Sequence, residues 1–511
     1  MMKTSVPDLD LSSISHSTSW NPFTAKLLLV SPVLDLLLLC LLSMMIGGCS
    51  SSRSTPAPAE AIPLPQQWRN KSTPATHPAL TAEWWGNFGD PTLTRLVAQA
   101  LRYNTDIRTA ATRVEQARAL NDVQNATNWP TLSLGIDSDR SQSINAATGK
   151  PYLSTVWEPQ FQAAYEVDLW QRLGNLQQSS QAQLLASKEA ADSITLSVTA
   201  EVAASYIQLR ELDARLEVAQ NTLVARREQL RLNQTRQDVG YNSALETQQS
   251  EAEYRATALV IPQLQLSIQR QELALNVLIG EAPGPIPRGL SLRQIHLALP
   301  PDAGIPSELL RRRPDIGSAE AQLASSDQLL AASRKQLLPS LQLTASLGRI
   351  SSSALTGDPF GLWSAGGSIL APIFEGGKLH AQIRLADAKR REALINYQKT
   401  VLTAFSEVEE QLSSIALLNE QYTQADAQRV ALQKSLRFAS NRYREGYASY
   451  LDELDAQRNL FNAEQTVLQI RSQQLTSLVN LYRVLGGGWS PKSGEGIQVT
   501  PGEQTIRTSG E

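Results

Sequence analysis

The stretch LRYNTDIRTAATRVEQARALNDVQNATNWPTLSL, from Leu101 to Leu134, recurs 209 positions later as LRRRPDIGSAEAQLASSDQLLAASRKQLLPSLQL, from Leu310 to Leu343. The two stretches lie over each other without a gap, and Pro130 falls on Pro339. Further along, matching residues recur at a shift of 206, the pairs being Gly240 with Gly446, Leu245 with Leu451, and Gly280 with Gly486. Chance does not hold such a register, so the chain contains a duplicated unit of about two hundred residues.

The duplication divides the chain into segments. The first unit is predicted over residues 81–281 and the second over residues 307–489, joined by a proline-rich connector at residues 282–306. Residues 490–511 are polar and are predicted to form a flexible tail.

Each unit is predicted to contain one very long helix. No Gly or Pro interrupts the chain between Gly174 and Gly240, or between Gly377 and Gly446. A helix of about 60 residues spans about 90 to 100 Å, which is too long for a globular core, so such helices must pack side by side. The glycines at 240 and 446 then turn the chain into a second long helix. Ser243 and Ser449 are the predicted N-caps of these returning helices.

Two strands are predicted in each unit, between its first helix and its very long helix. They cover about residues 131–140 and 154–170 in the first unit, and about 340–350 and 361–374 in the second. Apolar and polar residues alternate along them, and tryptophans lie near their ends, as in strands that cross a membrane. The alternative is two soluble hairpins packed on the helices. Four membrane strands would leave open edges in hydrocarbon, so several copies would have to close one barrel.

The N-terminal region ends in a lipoprotein-like sequence. Residues 1–48 are predicted to be a signal peptide, and Ile46-Gly47-Gly48-Cys49 resembles a bacterial lipobox. This implies cleavage before Cys49, with S-diacylglycerol and N-palmitoyl groups on that residue. A transmembrane anchor is the alternative interpretation. Residues 49–80, rich in Ser and Pro at their start, are predicted to be a lipidated tether.

Composition argues against nucleic-acid binding and against enzymatic chemistry. The net charge is −3 and no basic stripe is present, so nucleic acid is not a predicted partner. The four histidines are scattered, without the spacing of a zinc site or a catalytic triad. We therefore predict that the protein is not an enzyme and that it needs no metal or cofactor beyond the covalent lipid.

These features together resemble the outer membrane factors, the TolC-like channel proteins of tripartite efflux pumps, and within them the lipid-anchored OprM/NodT-like group. The resemblance runs from WWGNFGDPTL, Trp84 to Leu93, to LYRVLGGGW, Leu481 to Trp489. It is most specific in the lipobox, in the duplicated units and in RYREGYASYLDELDAQRNLF, residues 442–461.

The resemblance implies a mainly helical fold with membrane strands, in a homotrimer at the cell outer membrane. Each chain would give four strands to a twelve-stranded barrel and two long helical hairpins to a periplasmic tunnel. A periplasmic adaptor protein and an inner-membrane pump would be its partners, and small molecules such as drugs would be exported. Type I protein secretion, or a non-channel lipoprotein that spans the periplasm, are the alternatives.

The resemblance also places a periplasmic gate early in the last helix, at Leu451, Asp455 and Arg458. Their spacing of four and three residues puts all three on one helix face. A solvated ion pair is the alternative interpretation of the two charges. The first unit has Gln249 in place of Asp455, so gating is assigned to the second unit. Contact with the adaptor is shared between both tips, at Gly240, Ser243, Glu246, Gly446, Ser449 and Asp452. The direction of Asp452 and Glu453 is left open.

Overall fold

The computed structural model describes residues 65, 67–69, 81–354, 357 and 359–487. The predicted signal peptide, Cys49 and the polar tail at residues 490–511 lie outside these described residues.

Both units have the same order of elements. The first begins with a short 3₁₀ helix, Trp84–Phe88, and continues with α1 (Pro91–Tyr103), α2 (Thr105–Ala126), β1 (Thr131–Ile144), β2 (Pro151–Val167), α3 (Arg172–Asp238) and α4 (Ala244–Ile279). The second contains α5 (Pro306–Arg312), α6 (Pro314–Lys335), β3 (Ser340–Ser352), β4 (Phe360–Leu370), α7 (Lys378–Arg444) and α8 (Tyr450–Val484). The expected fold class, mainly helical with a few antiparallel strands, is confirmed.

The two longest helices match in length and in the way they begin. Helices α3 and α7 each have 67 residues, about 100 Å, and they start 206 positions apart. The residue before each helix is left-handed, Gln171 with φ 60° and Gly377 with φ 81°. Gln171 is the one residue other than glycine with a positive φ in the described part of the chain. Helix α3 therefore begins before Gly174, the glycine from which its length was counted.

A hydrogen bond that ties the long return helix to the start of the unit occurs twice. Asn104 Nδ2 donates to the carbonyl oxygen of Leu278 at 2.8 Å, and Arg313 Nη1 donates to that of Val484 at 3.2 Å. The donors stand at the shift of 209 and the acceptors at the shift of 206. The duplication therefore extends from sequence to individual tertiary contacts.

Next to each of these hydrogen bonds, a glycine lies close to the backbone of the first α-helix of the unit. Gly280 (φ 71°) and Gly486 (φ 89°) follow the two return helices, in a conformation that side chains disfavour. A Cβ added at Gly280 would lie 2.5 Å from Tyr103 O, and one at Gly486 would lie 2.6 Å from Arg312 O. Glycine is thus required at both positions for space as well as for dihedral angle.

The buried core joins the two units near the ends of the return helices. The ring of Trp84 stacks on that of Tyr482 with centroids 5.3 Å apart. Nearby, Asp90 accepts hydrogen bonds from Tyr206 Oη at 2.8 Å and from Leu290 N at 3.0 Å. These contacts connect the start of the first unit, α3, α8 and the connector. In the described part of the chain, no helix combines the length and apolar character needed to cross a membrane.

The strands form one antiparallel sheet in the order β1-β2-β3-β4. Because paired residues share a face, the register sorts side chains into two kinds of row. One row is apolar across all four strands: Leu134, Phe161, Leu347 and Trp363. The adjacent row is polar: Ser133, Gln162, Ser346 and Ser364. The sheet therefore has an apolar face and a polar face, as the alternation predicts.

Two strands end earlier than the sequence predicts. Strand β2 ends at Val167 instead of residue 170, because the next residues turn the chain: Asp168 Oδ2 accepts from Gly174 N at 2.7 Å and Trp170 Nε1 donates to Pro339 O at 2.7 Å. Strand β4 ends at Leu370 instead of residue 374. It lies at the edge of the sheet, and Pro372 has no backbone N–H to donate.

Candidate functional site

The predicted tips are the two turns that join α3 to α4 and α7 to α8. Gly240 has φ 79° and Gly446 has φ 80°, and nothing lies within 4 Å of a Cβ added at either. The dihedral angle alone therefore selects glycine here. The residue after each glycine donates its N–H back into the preceding helix, Tyr241 to Arg236 O and Tyr447 to Arg442 O, both at 2.8 Å.

Serine caps the helix that leaves each tip. Ser243 Oγ accepts from Glu246 N at 3.3 Å, and Ser449 Oγ accepts from Asp452 N at 3.4 Å. In the second tip, Asp452 also accepts from Ser449 N at 3.1 Å, which completes a capping box. Asp452 is thus an exposed side chain bonded within its own turn, and part of the acidity at the second tip has a structural role.

A tyrosine joins the two tips. Asn242 Nδ2 donates to Tyr443 Oη at 3.2 Å, and that hydroxyl lies 3.4 Å from Asn233 Oδ1, to which it donates. Arg236 lies over the Tyr443 ring, 5.6 Å from its centroid. The ring also packs on Tyr450, whose burial raises its pKa to about 12. Both tips of one chain are therefore held together by contacts between side chains.

The three predicted gate residues share an exposed face of α8. Leu451 is 55% exposed, and Asp455 and Arg458 are also exposed. Asp455 Oδ2 accepts a hydrogen bond from Asn459 Nδ2 at 3.0 Å. The geometry within one chain therefore matches the face that the spacing of four and three residues predicts.

Arg458 is bound to an acid that sequence reasoning missed. Its Nε donates to Glu253 Oε1 at 2.6 Å, and Glu253 lies on α4 of the first unit. The other oxygen of Glu253 lies 2.8 Å from Arg226 Nη1 on α3. This arginine–glutamate–arginine cluster connects three long helices. Its bond to Glu253 raises the pKa of Arg458, while burial lowers that of Arg226.

The remaining acid in the first turns of α8, Glu453, points into the protein. It is 5% exposed and accepts from Ser440 Oγ at 2.6 Å. Its second oxygen has no hydrogen-bond partner among the described residues. Of the three acids in this turn, Asp452 and Asp455 are therefore the exposed ones within a chain.

One side of the second unit is uncovered. Helices α3 and α7 have the same length, yet 19 side chains are buried in α3 and 7 in α7. Helix α6 packs against both, and α2 packs against α3. In the sheet, β1 and β4 are the two edges. The surface left by α7 and β4 is therefore available to another molecule.

Comparison with known proteins places the chain among efflux proteins. The family described as "Outer membrane efflux protein" matches residues 96–281 and 305–487. Similar relatives include the antibiotic efflux pump outer membrane protein ArpC of Pseudomonas putida, 33% identical over 91% of this chain and 98% of the relative. They also include the pyoverdine export outer membrane protein OpmQ of Pseudomonas aeruginosa, 32% identical over 89% and 97%.

Among solved structures, the chain is similar to the outer membrane channel MtrE of Neisseria gonorrhoeae in its open state. The TM-score is 0.76 at 28% sequence identity, covering 84% of this chain and 96% of that one.

Proposed function

Because the chain belongs to the outer membrane efflux protein family, we propose that it forms a trimeric tunnel whose periplasmic tip opens and closes at α8. The protein is the outer-membrane channel of an efflux system. The trimer is supported by the two uncovered sides of a single chain, one at α7 and β4 and the other at α2 and β1. The junction that joins the two units within a chain can be repeated between these sides in neighbouring chains.

The junction between the two units within a chain consists of α3 packed on α6 and β2 paired with β3. Applying the shifts of 206 and 209 to this junction predicts that α7 packs on α2 of the next copy, and that β4 pairs with β1 of the next copy. Such a head-to-tail contact closes into a ring when the rotation is right. Three copies supply twelve strands, above the roughly eight at which membrane barrels begin.

The proposed junction would account for the early end of β4. Val167 pairs with Leu341 within the chain, so the shifts place Ile373 opposite Leu132 of the next copy. Ile373 and Phe374 are 93% and 88% exposed in a single chain. In the proposed barrel, β1 of the next copy would extend the pairing of β4 and cover them.

We expect a specific disulfide between copies. Ser179 Oγ lies 2.9 Å from Ser325 Oγ in the junction within the chain, and the shifts convert this pair into Leu385 and Gln116 of neighbouring copies. The double variant Leu385→Cys/Gln116→Cys should therefore form disulfides in the periplasm. Non-reducing electrophoresis should show dimers and trimers and nothing larger, because the ring closes at three.

Ser179→Cys/Ser325→Cys is the matched control, in which the bond should form within one chain and leave the mass unchanged. Bands above the trimer would contradict closure at three copies. No bond between copies in the first variant, with a bond in the control, would contradict the head-to-tail arrangement.

Gating is assigned to Asp455, because its ring of three carboxylates in a trimer would face the axis and hold cations. Asp455→Ala should raise the conductance of the purified protein in a planar bilayer. Gln249→Ala, at the matching place in the first unit, should leave conductance unchanged. A tight, unaltered pore in Asp455→Ala would remove this residue from the gate.

The proposed function also implies a lipid anchor and specific protein partners. Acylation at Cys49 would anchor the chain in the outer membrane, and the tips around Ser243, Glu246, Ser449 and Asp452 would contact a periplasmic adaptor that joins an inner-membrane pump. The exposure of both tips supports this assignment. Purification of the tagged channel after crosslinking in cells should recover the adaptor. The turns around Gly240 and Gly446 should be protected from proteolysis in that complex.

Small molecules are the proposed cargo. The relatives are named for antibiotics in one case and for pyoverdine in another, which supports export of varied small compounds. Family membership favours a channel over a non-channel lipoprotein. Type I protein secretion is the second candidate, and the pump that copurifies distinguishes the two.

A further inference from the structure

Two residues of the predicted tether are fixed on the folded protein. Trp68 is 7% exposed, and its indole Nε1 donates to the carbonyl oxygen of Gly304 at 2.9 Å. Its ring meets Phe405 of α7 edge to face, with centroids 6.0 Å apart. The next residue, Arg69, donates its backbone N–H to Glu409 Oε1 at 2.7 Å. The segment expected to be a free tether is therefore bound at this point.

The residues that receive Trp68 come from two distant parts of the chain and are themselves well fixed. Phe405 and Glu409 are four residues apart on α7 and share one face of that helix. Gly304 belongs to the connector and has φ 64°, and a Cβ there would meet Glu308 Oε2 at 2.6 Å. We call the surface formed by Gly304, Phe405 and Glu409 the Trp68 pocket. It buries a large aromatic ring and satisfies its one donor, as a specific attachment does.

Attachment at this pocket changes the length of chain available to a lipid on Cys49. Trp68 is 19 residues after Cys49, whereas the next buried tryptophan, Trp84, is 35 residues after it. A fully extended chain covers at most about 3.3 to 3.6 Å per residue, so the two lengths reach about 65 Å and about 120 Å.

The shorter reach, about 65 Å, can be compared with the distance from Trp68 to the strand end of α7. Phe405 lies 27 residues after Lys378, where α7 begins next to the strands. At about 1.5 Å per residue, this separation is about 40 Å along the helix. An extended chain of 19 residues is therefore long enough to reach from Phe405 to the strand end of α7, with about 25 Å to spare.

We propose that the Trp68 pocket is the attachment point of the acylated N-terminal segment, and that it sets how far the lipid reaches from the helical wall. This inference rests on the proposed acylation of Cys49 and on the proposed position of the strands in the outer membrane. Trp68 is then a positioning residue for the anchor, and the channel itself does not depend on it.

A deletion within the tether tests the proposal. Removing residues 52–61 places Trp68 nine residues after Cys49, and the reach of about 30 Å falls short of the roughly 40 Å between Phe405 and the strand end of α7. We expect this deletion to abolish heat-modifiable trimer in the outer membrane and to abolish efflux. Combining the deletion with Trp68→Ala frees the chain up to Trp84, which leaves 25 residues and about 85 Å, and should restore both.

Two further variants make the result specific. Trp68→Ala with the full tether should assemble and export like the wild type, which shows that the pocket is not required for folding. The second variant carries the deletion with Trp68 intact, together with a non-lipoprotein leader and Cys49→Ser. It should also assemble, because without a lipid the short segment does not have to reach the membrane.

Palmitate labelling separates the inference from the function on which it rests. If the wild type incorporates palmitate and the deletion is tolerated with Trp68 intact, the role of the pocket is overturned while acylation stands. Failure of Trp68→Ala to rescue the deletion overturns it equally. Absence of palmitate from the wild type overturns both acylation and this inference, and leaves the channel untouched.

Discussion

Alanine at Gly486 is expected to destabilise the folded chain strongly and to lower the thermal stability of the proposed trimer. The residue has φ 89°, and a Cβ there would lie 2.6 Å from Arg312 O. The left-handed conformation costs a side chain about 1 to 2 kcal/mol. Forcing an atom into a packed contact costs about 1 to 3 kcal/mol more. A loss of about 2 to 5 kcal/mol is large beside the roughly 5 to 15 kcal/mol by which native proteins are stable.

Three glycines separate these two costs. Gly86 has neither a positive φ nor a close neighbour, Gly446 has φ 80° and open space, and Gly486 has both constraints. When each is replaced by alanine, the temperature at which the proposed trimer dissociates in detergent should be highest for Gly86→Ala, lower for Gly446→Ala and lowest for Gly486→Ala. Equal stability of Gly446→Ala and Gly486→Ala would show that the backbone around Arg312 yields, and that the close approach carries no cost.

Much of this fold was predictable because its signals are local and occur twice. The register between Leu101 and Leu310 gave the repeat, and the serines at 243 and 449 gave the starts of the return helices. The start of α3 was harder to predict, because the left-handed residue before it is Gln171, whereas the second unit has glycine at the matching place. The end of β4 was also harder to predict, because the strand proposed to extend its pairing belongs to a neighbouring copy.

The partner of Arg458 could not be read from the sequence for a different reason. Glu253 is 205 residues away, and the repeat places Asn459 at its counterpart, so neither spacing nor duplication marks it. Only the packing of α4 against α3, with α8 alongside, brings the two side chains together. Trp68 did carry a signal, as a single aromatic residue in a segment of Ser, Pro and Gln, but its pocket is assembled from distant parts of the chain.

Replacing Glu253 by alanine is expected to destabilise the tips and to make the channel leak. Glu253 and Arg226 are both below one-tenth exposed, and Arg226 would lose its carboxylate inside the protein. Removing one partner of a buried ion pair costs about 3 to 5 kcal/mol. The same change releases Arg458 from α4, so this residue of the proposed gate would lose its fixed position. The stability of the proposed trimer should therefore fall, and the single-channel conductance should rise with it.

Glu251 is the matched control, because it lies two residues away on the same helix and its pair with Arg255, at 3.3 Å, is exposed. Such a pair contributes about 0.3 to 0.5 kcal/mol, so Glu251→Ala should alter neither stability nor conductance. A destabilised Glu253→Ala channel that stays tight would mean that the cluster holds the helices together without positioning the gate. Arg458→Ala distinguishes the two roles, because this arginine is half exposed and its loss leaves Glu253 paired with Arg226. If Arg458→Ala leaks as Glu253→Ala does, but is less destabilised, the leak comes from the loss of Arg458 from its position in the proposed gate.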